Sequence, residues 1–331
     1  MAVRVGIVGT GYAARVRAEA LRSDVRSHPV AVAGNDFART ASFAETYGLE
    51  AIESWQSLLS DATIDLVVVA TVSGLHGVIV EAALASGKHV VVEYPLSLDL
   101  AQARRLIEFA AQKDLLLHVE HIELLGGLHL AMREHLPRIG VPSYVNYRTL
   151  NPQHPAPRKW TYHRELFGFP FCGALSRVHR LTNLLGRVKA VSCCTRMVTD
   201  EVDSAYFKSI LSSARLEFEN GVVAELTYGK GENLWSYSRT MEVQGSLGAL
   251  RFVRDQGTLT MAQGDEAIAV APRRGLFVKD TEMVLDYLTK QTPLYVSPAE
   301  SLYALMVGDA LRQASESGQP VNLDNVGLNH A

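Results

Sequence analysis

Residues 6–14 of the chain read GIVGTGYAA, and within them Gly9-Thr10-Gly11-Tyr12-Ala13-Ala14 is GxGxxA. The run follows a short apolar segment, Val3–Val8, and opens a stretch with helical spacing. In such a turn Gly9 allows the tight bend, Gly11 lets a pyrophosphate approach the backbone, and Ala14 allows close helix–strand packing. Tyr12 and Ala13 fall in the first helical turn, where free N–H groups attract an anion. A dinucleotide is expected here because strand, turn and helix follow in the right order. Which dinucleotide depends on the end of the second strand, where the chain reads Gly34-Asn35-Asp36-Phe37-Ala38-Arg39. An NAD-specific site places a carboxylate there for the ribose 2′-OH. The residue expected at the tip is neutral Asn35, with Arg39 just beyond it to meet a 2′-phosphate, which favours NADPH. A slip of one residue puts Asp36 at the tip and favours NADH, with Arg39 an exposed helix charge.

A second cluster, His118–Glu123 (HVEHIE), invites a metal reading. On a strand His118 and Glu120 share a face while His121 points away. The spacing is no zinc pattern, so no metal is expected. His129, His135 and His330 are expected at the surface or packed on helices.

The elements that must position these groups follow from periodicity. Val3–Val8, Val30–Ala33, Leu66–Ala70, Val90–Val92 and Leu115–Val119 read as buried parallel strands. Helical spacing fills the gaps at Tyr12–Arg22, Asp36–Tyr47, Trp55–Leu59, Gly74–Ser86 and Asp99–Gln112. This alternation predicts a doubly wound parallel sheet. The pattern then changes. A helix is expected at Leu124–Leu136, an alternating strand at Val141–Leu150, a proline-rich loop at Asn151–Trp160 and a helix at Gly173–Leu185. Lys189–Val270 is strand-rich, and Asn220-Gly221 between LEFE and VVAEL signals a hairpin. Helices near Lys279–Thr289 and Ala299–Ser315 close the chain. The fold class expected is an α/β Rossmann domain over residues 1–121, followed over 122–331 by an α+β domain with a large, mostly antiparallel, open-faced sheet.

Composition sets the outer limits. The 331 residues suit about two domains, and 47% are hydrophobic against 20% charged. Lys plus Arg number 32 and Asp plus Glu 35, a net charge of -3 that offers no nucleic-acid footprint. No apolar run reaches membrane-spanning length, and the opening MAVRVGIVGT lacks the features of a secretory signal. The three cysteines, Cys172, Cys193 and Cys194, form no CxxC pair. A reducing, cytoplasmic compartment is expected.

Residues 71–95, TVSGLHGVIVEAALASGKHVVVEYP, carry a more specific signal in His76, Gly87-Lys88-His89-Val90 and Glu93-Tyr94-Pro95. On these residues the chain resembles the glucose–fructose oxidoreductase and inositol dehydrogenase family over essentially its whole length. The resemblance implies the same two-domain fold. It adds Thr71 and His76 to the cofactor groups and places Glu93 near the nicotinamide ribose. Two departures bear on chemistry. Tyr94 stands where the dehydrogenases have a catalytic Lys. In GALSRVHRLTN (173–183), Arg177 and Leu181 stand where they carry an Asp and a His. Alcohol oxidation needs a base for the hydroxyl proton, and a guanidinium that stays protonated cannot be that base. Sugar or polyol oxidation is therefore not expected.

Tyr in place of that Lys, with LLHVEHIELLGG, PAPRKWTYH, FGFP, ALSR, YGKGE and RRGLF, resembles the biliverdin reductases of cyanobacterial type, a branch of the family. That resemblance implies NADPH-dependent addition of hydride to the central methine of biliverdin and of a proton to a pyrrole nitrogen, giving bilirubin, with NADH a weaker donor. It implies that Arg177 polarises the dipyrrole and passes on a proton from water or a propionate, and that Tyr94 is a general acid or a wall beside the nicotinamide. His121, Phe169, Arg180 and Lys230 are placed against the pigment, with Arg239, Arg273 and Arg274 as further holders of its propionates. Trp160, Tyr162, Phe167, Phe169 and Phe171 either wall the pigment or form a small core under their loop. A pigment on the open sheet face implies a monomer or a small edge-on oligomer. Two other readings compete: a sugar or dihydrodiol reductase of the same fold, and a non-catalytic NADPH-sensing regulator.

Overall fold

The computed structural model describes residues 2–323, so His330 lies outside the described residues. The chain divides into two compact units. The first comprises the chain up to Ile122 together with Gly275–Leu302, and the second Glu123–Arg274 with the chain from Tyr303. The two units are thus not consecutive segments, since a helical stretch after residue 274 returns to the first. Its apolar face supplies Val284 to the first unit's core, which periodicity within that stretch does not reveal.

The first unit alternates β1 (Val3–Val8), α1 (Tyr12–Ser23), β2 (Ser27–Ala33), α2 (Phe37–Tyr47), β3 (Glu50–Ile52), α3 (Trp55–Ser60), β4 (Leu66–Val69), α4 (Ser73–Ala85), β5 (His89–Glu93), α5 (Leu100–Gln112) and β6 (Leu117–Glu120). The strands pair in parallel in the order β3-β2-β1-β4-β5-β6. The order reverses direction between β1 and β4, and ligands of such sheets bind beyond the strands' carboxyl ends at that switch point. β4 is buried along its whole length, as a strand covered on both faces must be. Asp99 caps α5 by accepting from the Ala101 and Gln102 N–H groups. The edge strand β3, only three residues long, has no apolar run of its own and escapes periodicity.

The second unit begins with a 3₁₀ turn at Ile122–Leu124 and α6 (Gly127–His135), then β7 (Pro142–Pro152). Short helices α7 (Arg164–Phe167) and α8 (Pro170–Gly173) precede α9 (Ser176–Leu185). Strands β8 (Val188–Thr199), β9 (Phe207–Phe218), β10 (Val223–Gly231), β11 (Ser238–Gly245), β12 (Gly248–Val253), β13 (Gln256–Met261) and β14 (Gly264–Ile268) follow. The returning helix α10 (Leu276–Lys290), then α11 (Pro298–Ser317) and β15 (Val321–Asn322), complete the description. The sheet order is β14-β13-β12-β11-β7-β10-β9-β8-β15, antiparallel throughout except where β7 meets β10. From Leu211 to Phe218, β9 alternates exposed and buried, the signature of a sheet with one covered and one open face. β10 is instead closed on both faces from Tyr228 to Gly231. The expected helix at Gly173–Leu185 starts three residues later, and Leu124–Leu136 narrows to α6, with Gly126 standing as its N-cap in extended conformation. No described helix is long and apolar enough to cross a membrane.

Candidate active site

In the first unit the glycine turn is built as its spacing predicts. Gly9 has φ +123°, and a Cβ there would lie 2.2 Å from the Ala70 carbonyl oxygen, so the chain needs glycine to fold. At Gly11 the reverse holds: a Cβ would meet no protein atom within 4 Å. Folding does not demand glycine at this N-cap, whereas close approach of an anion does. α1 has no side-chain cap and no acidic residue in its first turn, so its N–H groups remain available. These features fit a dinucleotide pyrophosphate.

At the tip of β2, Asn35, Asp36 and Arg39 are all exposed. The Asp36 carboxylate is occupied as the N-cap of α2, accepting from the Arg39 N–H at 2.9 Å. Among the described residues no carboxylate pairs with the Arg39 guanidinium. The neutral residue thus stands next to a helix-cap Asp and a free cation, an arrangement suited to a 2′-phosphate.

Beyond β4 and β5 the expected cofactor residues divide. His76 is buried at 1% exposure, with Nδ1 2.7 Å from the Pro95 carbonyl and Nε2 3.2 Å from the Thr71 carbonyl. It joins the loops after β4 and β5 rather than presenting a ring to a ligand. Burial lowers its pKa, the two carbonyls acting the other way. Lys88 is likewise internal, donating to the Asp61 and Ile64 carbonyls at 2.6 and 2.9 Å. Glu93 ends β5 with its side chain 15% exposed and 3.4 Å from Arg17. The Tyr94 ring stacks on His121 at 5.6 Å and 9°. His121 Nε2 lies 2.9 Å from Ser301 Oγ, and its backbone N–H donates to Tyr295 Oη. His118 Nε2 meets Asp280 at 2.8 Å. The histidines of HVEHIE thus serve separate partners, and among the described residues no group of three or more His, Cys, Asp or Glu suits a metal.

In the second unit Arg177 lies over the Tyr228 ring at 4.6 Å, and its side chain makes a long bond to Ser176 Oγ, 3.4 Å. No carboxylate pairs with it among the described residues. The other cations differ from their sequence expectation. Arg180 is buried, bonded to Tyr147 Oη at 2.8 Å and to Glu123 at 3.0 Å, and Arg273 pairs with the same Glu123. An internal carboxylate already neutralises both. Arg239 is within 4.0 Å of Asp255, and Arg274 is exposed.

Lys230, placed against the pigment by the resemblance, is buried. Its Nζ donates to the Thr161 carbonyl and sits 3.5 Å from the Phe167 ring centre, with Tyr162 and Phe207 beyond. Burial, with the charge of Arg177 second, pushes its ammonium down to about 7. The alternation of β10 hid this burial, because the covering loop comes from far along the sequence. That loop splits by role: Tyr162, Phe167 and Phe171 are buried, a small core, while Trp160 and Phe169 keep exposed surface.

A doubly wound dinucleotide unit joined to an open-faced α+β unit, with a glycine turn fitted to a pyrophosphate, defines a nicotinamide-dependent oxidoreductase. The chain belongs to the oxidoreductase family of glucose–fructose oxidoreductase and inositol dehydrogenase: the family's NAD-binding Rossmann fold matches residues 3–121 and its C-terminal alpha/beta domain residues 135–323. Among solved structures it is similar to biliverdin reductase from Synechocystis sp. PCC 6803, crystallised with biliverdin and NADP+. The TM-score is 0.93 and the identity 51%, over 95% of this chain and 99% of that one. Biliverdin reductase A of Homo sapiens is 31% identical over 57% of this chain and 60% of its own length. The Mus musculus protein is 27% identical over 87% of this chain and 86% of its own.

Proposed function

We propose that this chain is an NADPH-dependent biliverdin reductase. The observation that carries the reading is the unpaired Arg177 guanidinium over Tyr228, in a chain half identical to a reductase solved with biliverdin and NADP+. Gly9, Gly11, Tyr12 and Ala13 hold the pyrophosphate at the start of α1, while Asn35 and Arg39 receive the 2′-phosphate. Thr71, kept in place by His76, and Glu93 border the nicotinamide end. NADPH, when bound, supplies the hydride.

Arg177 lies against the pigment and stabilises negative charge as the central methine is reduced. Tyr94, aligned by its stack on His121, walls the nicotinamide end. Phe169 offers a half-buried ring to the flat pigment. Arg180 and Lys230, held by Glu123 and by the aromatic core, act by shaping the surroundings of Arg177 rather than by gripping propionates. The absence of a hydroxyl base at Arg177 and Leu181 argues against the sugar and dihydrodiol alternatives. The three cysteines are all free, in keeping with a reducing cytoplasmic compartment. A monomer or small homo-oligomer is the assembly proposed, with no nucleic-acid or membrane partner.

The test is direct. Biliverdin and NADPH are added to the pure protein, with NADH in a parallel arm. Loss of the red pigment band with growth of a blue-absorbing bilirubin band, faster with NADPH, is the expected result. No change at several pH values overturns the reading, and NADPH binding without turnover of any pigment leaves the regulator in its place.

A further inference from the structure

Three carboxyls and one guanidinium meet at the carboxyl ends of β5 and β6. Glu93 and Glu120 are register partners on these adjacent parallel strands, so their carboxyls leave the sheet side by side. Two ionised carboxylates only accept, so carboxyls set together in this way are relieved when one of them keeps a proton. Arg17 approaches Glu93 at 3.4 Å and pairs with Asp280. Asp280 also accepts from Tyr295 Oη at 2.6 Å and lies against His118. Burial would raise its pKa, but Arg17 and then His118 hold it well below the usual carboxylate range. With Arg17 matched to Asp280, the second and third carboxyls share what remains.

Of the two, Glu120 is the carboxyl on which a proton is favoured. Burial first, then the charges of Glu93 and Asp280, raise its carboxyl well above the ordinary value, with Arg17 opposing. The groups facing it are Glu93 from β5, Arg17 from α1, Asp280 from α10 and Tyr295 from the segment after α10, with His118 on its own strand. Arg17, Asp280 and His118 are buried, while Glu93 keeps an exposed edge.

Its position gives the pair a use. The 2′-phosphate end of the cofactor belongs at β2 and the pyrophosphate at α1, so the nicotinamide end extends to the other side of β1, over β4 and β5. Glu93 ends β5. The pigment carbon that takes hydride must touch the nicotinamide, which brings its neighbouring pyrrole nitrogens to this edge of the sheet. Arg177 cannot be the proton source, since a guanidinium stays protonated at neutral pH.

We propose that Glu93 and Glu120 form a proton store for the reduction, with Glu93 handing the proton to the pyrrole nitrogen and Glu120 holding the reserve behind it. This rests on the reading of the chain as a biliverdin reductase. The step balances: the methine carbon gains a hydride from the dihydronicotinamide, which is oxidised, and the nitrogen gains a proton from the pair. Water then refills the pair through the exposed edge of Glu93. Glu120 acts through Glu93 and is a positioning and storage residue. The protonated form is the competent one, so kcat falls as pH rises through the raised pKa of Glu120.

The experiment measures kcat and KM against pH for the wild type, E120Q and E93Q, together with infrared spectra of each NADPH-free protein at neutral pH. Expected are a protonated-carboxyl band in the wild type that E120Q removes and, for both variants, a kcat lowered about 10²-fold, with KM for pigment and NADPH within about twofold. E120Q also loses the alkaline limb, and small external acids restore turnover in E93A. A wild-type spectrum without the band overturns the proposal, as do variants that keep the wild-type kcat and alkaline limb. Should E120Q fail to fold, E93Q and the wild-type band decide. A wild type that does not reduce biliverdin overturns the functional reading and the catalytic role with it, while the band, read without pigment, would survive that failure.

Discussion

Arg177 differs from Arg180 and Arg273 in having no carboxylate partner among the described residues, and from Lys230 in not being enclosed. Arg180 and Arg273 share Glu123, and Lys230 is enclosed by rings and a carbonyl. Removing a paired arginine leaves its partner carboxylate buried and uncompensated, at a cost in stability. Removing Arg177 strands no partner. R177A is therefore expected to keep its melting temperature and its NADPH affinity while kcat with biliverdin falls about 10²-fold or more, the scale on which one charge-stabilising donor acts. R180A, in contrast, is expected to lose stability, because Glu123 and Tyr147 lose their buried partner. Thermal melts, NADPH titration and turnover on the two variants separate the roles, and an R177A enzyme with unchanged turnover removes Arg177 from the mechanism. The same contrast applies at Asn35. An Asp there would stand against the 2′-phosphate, and two like charges about 4 Å apart near a surface cost about 1–4 kcal/mol. N35D should raise the KM for NADPH about tenfold or more and leave that for NADH nearly unchanged.

At the scale of elements, the two motif glycines act for different reasons, and this can be measured. Gly9 answers to β4: its φ and the Ala70 carbonyl leave no place for a Cβ. Gly11 answers only to the ligand. G9A is expected to melt well below the wild type, whereas G11A should fold with a loss of no more than about 1 kcal/mol, the scale of an N-cap change, and bind NADPH at least tenfold more weakly. Equal melting temperatures for the two would refute this division. The pair also marks how far the sequence could be read. The parallel strands were legible because a strand covered on both faces is a continuous apolar run, and the nucleotide turn because its glycines have fixed offsets. The boundary near residue 121 was visible as a change of period. What periodicity could not carry was the return of α10 to the first unit and the burial of Lys230, since both depend on partners far along the chain. Arg180 looked free for the same reason: Glu123 lies 57 positions away. Glu93 and Glu120 were each legible as end-of-strand acids, but only strand register makes them one group.

Across the whole molecule, each unit buries a histidine that must stay neutral. In the first it is His76, between two backbone carbonyls. In the second it is His129, whose Nε2 donates to Asn183 Oδ1 at 2.9 Å while Nδ1 has no partner among the described residues. Burial, with the charge of Arg180 second, pulls His129 down to about 4, and burial lowers His76 as well. The unfolded chain protonates near the ordinary histidine value of about 6.5. Between that value and 4 the unfolded state therefore binds a proton that folded His129 does not, so stability rises with pH across this window and is lost as pH falls through it. A tenfold difference in proton affinity between the two states is worth about 1.4 kcal/mol, so His129 alone accounts for a loss of up to about 3 kcal/mol by pH 4. Glu120 works in the opposite sense. Its folded pKa is raised, so its contribution is complete in acid and lost as pH rises through the folded value. Acid unfolding below pH 6.5 should thus be governed by the buried histidines and not by the carboxyl pair. The measurement is the melting temperature from pH 7.5 to 4.5 for the wild type, H129Q and E120Q. H129Q, which can still donate to Asn183, should show a flatter decline, and E120Q, which lacks the carboxyl's opposing gain in acid, should decline more steeply than the wild type. An H129Q curve as steep as the wild type's would show that the acid sensitivity arises elsewhere.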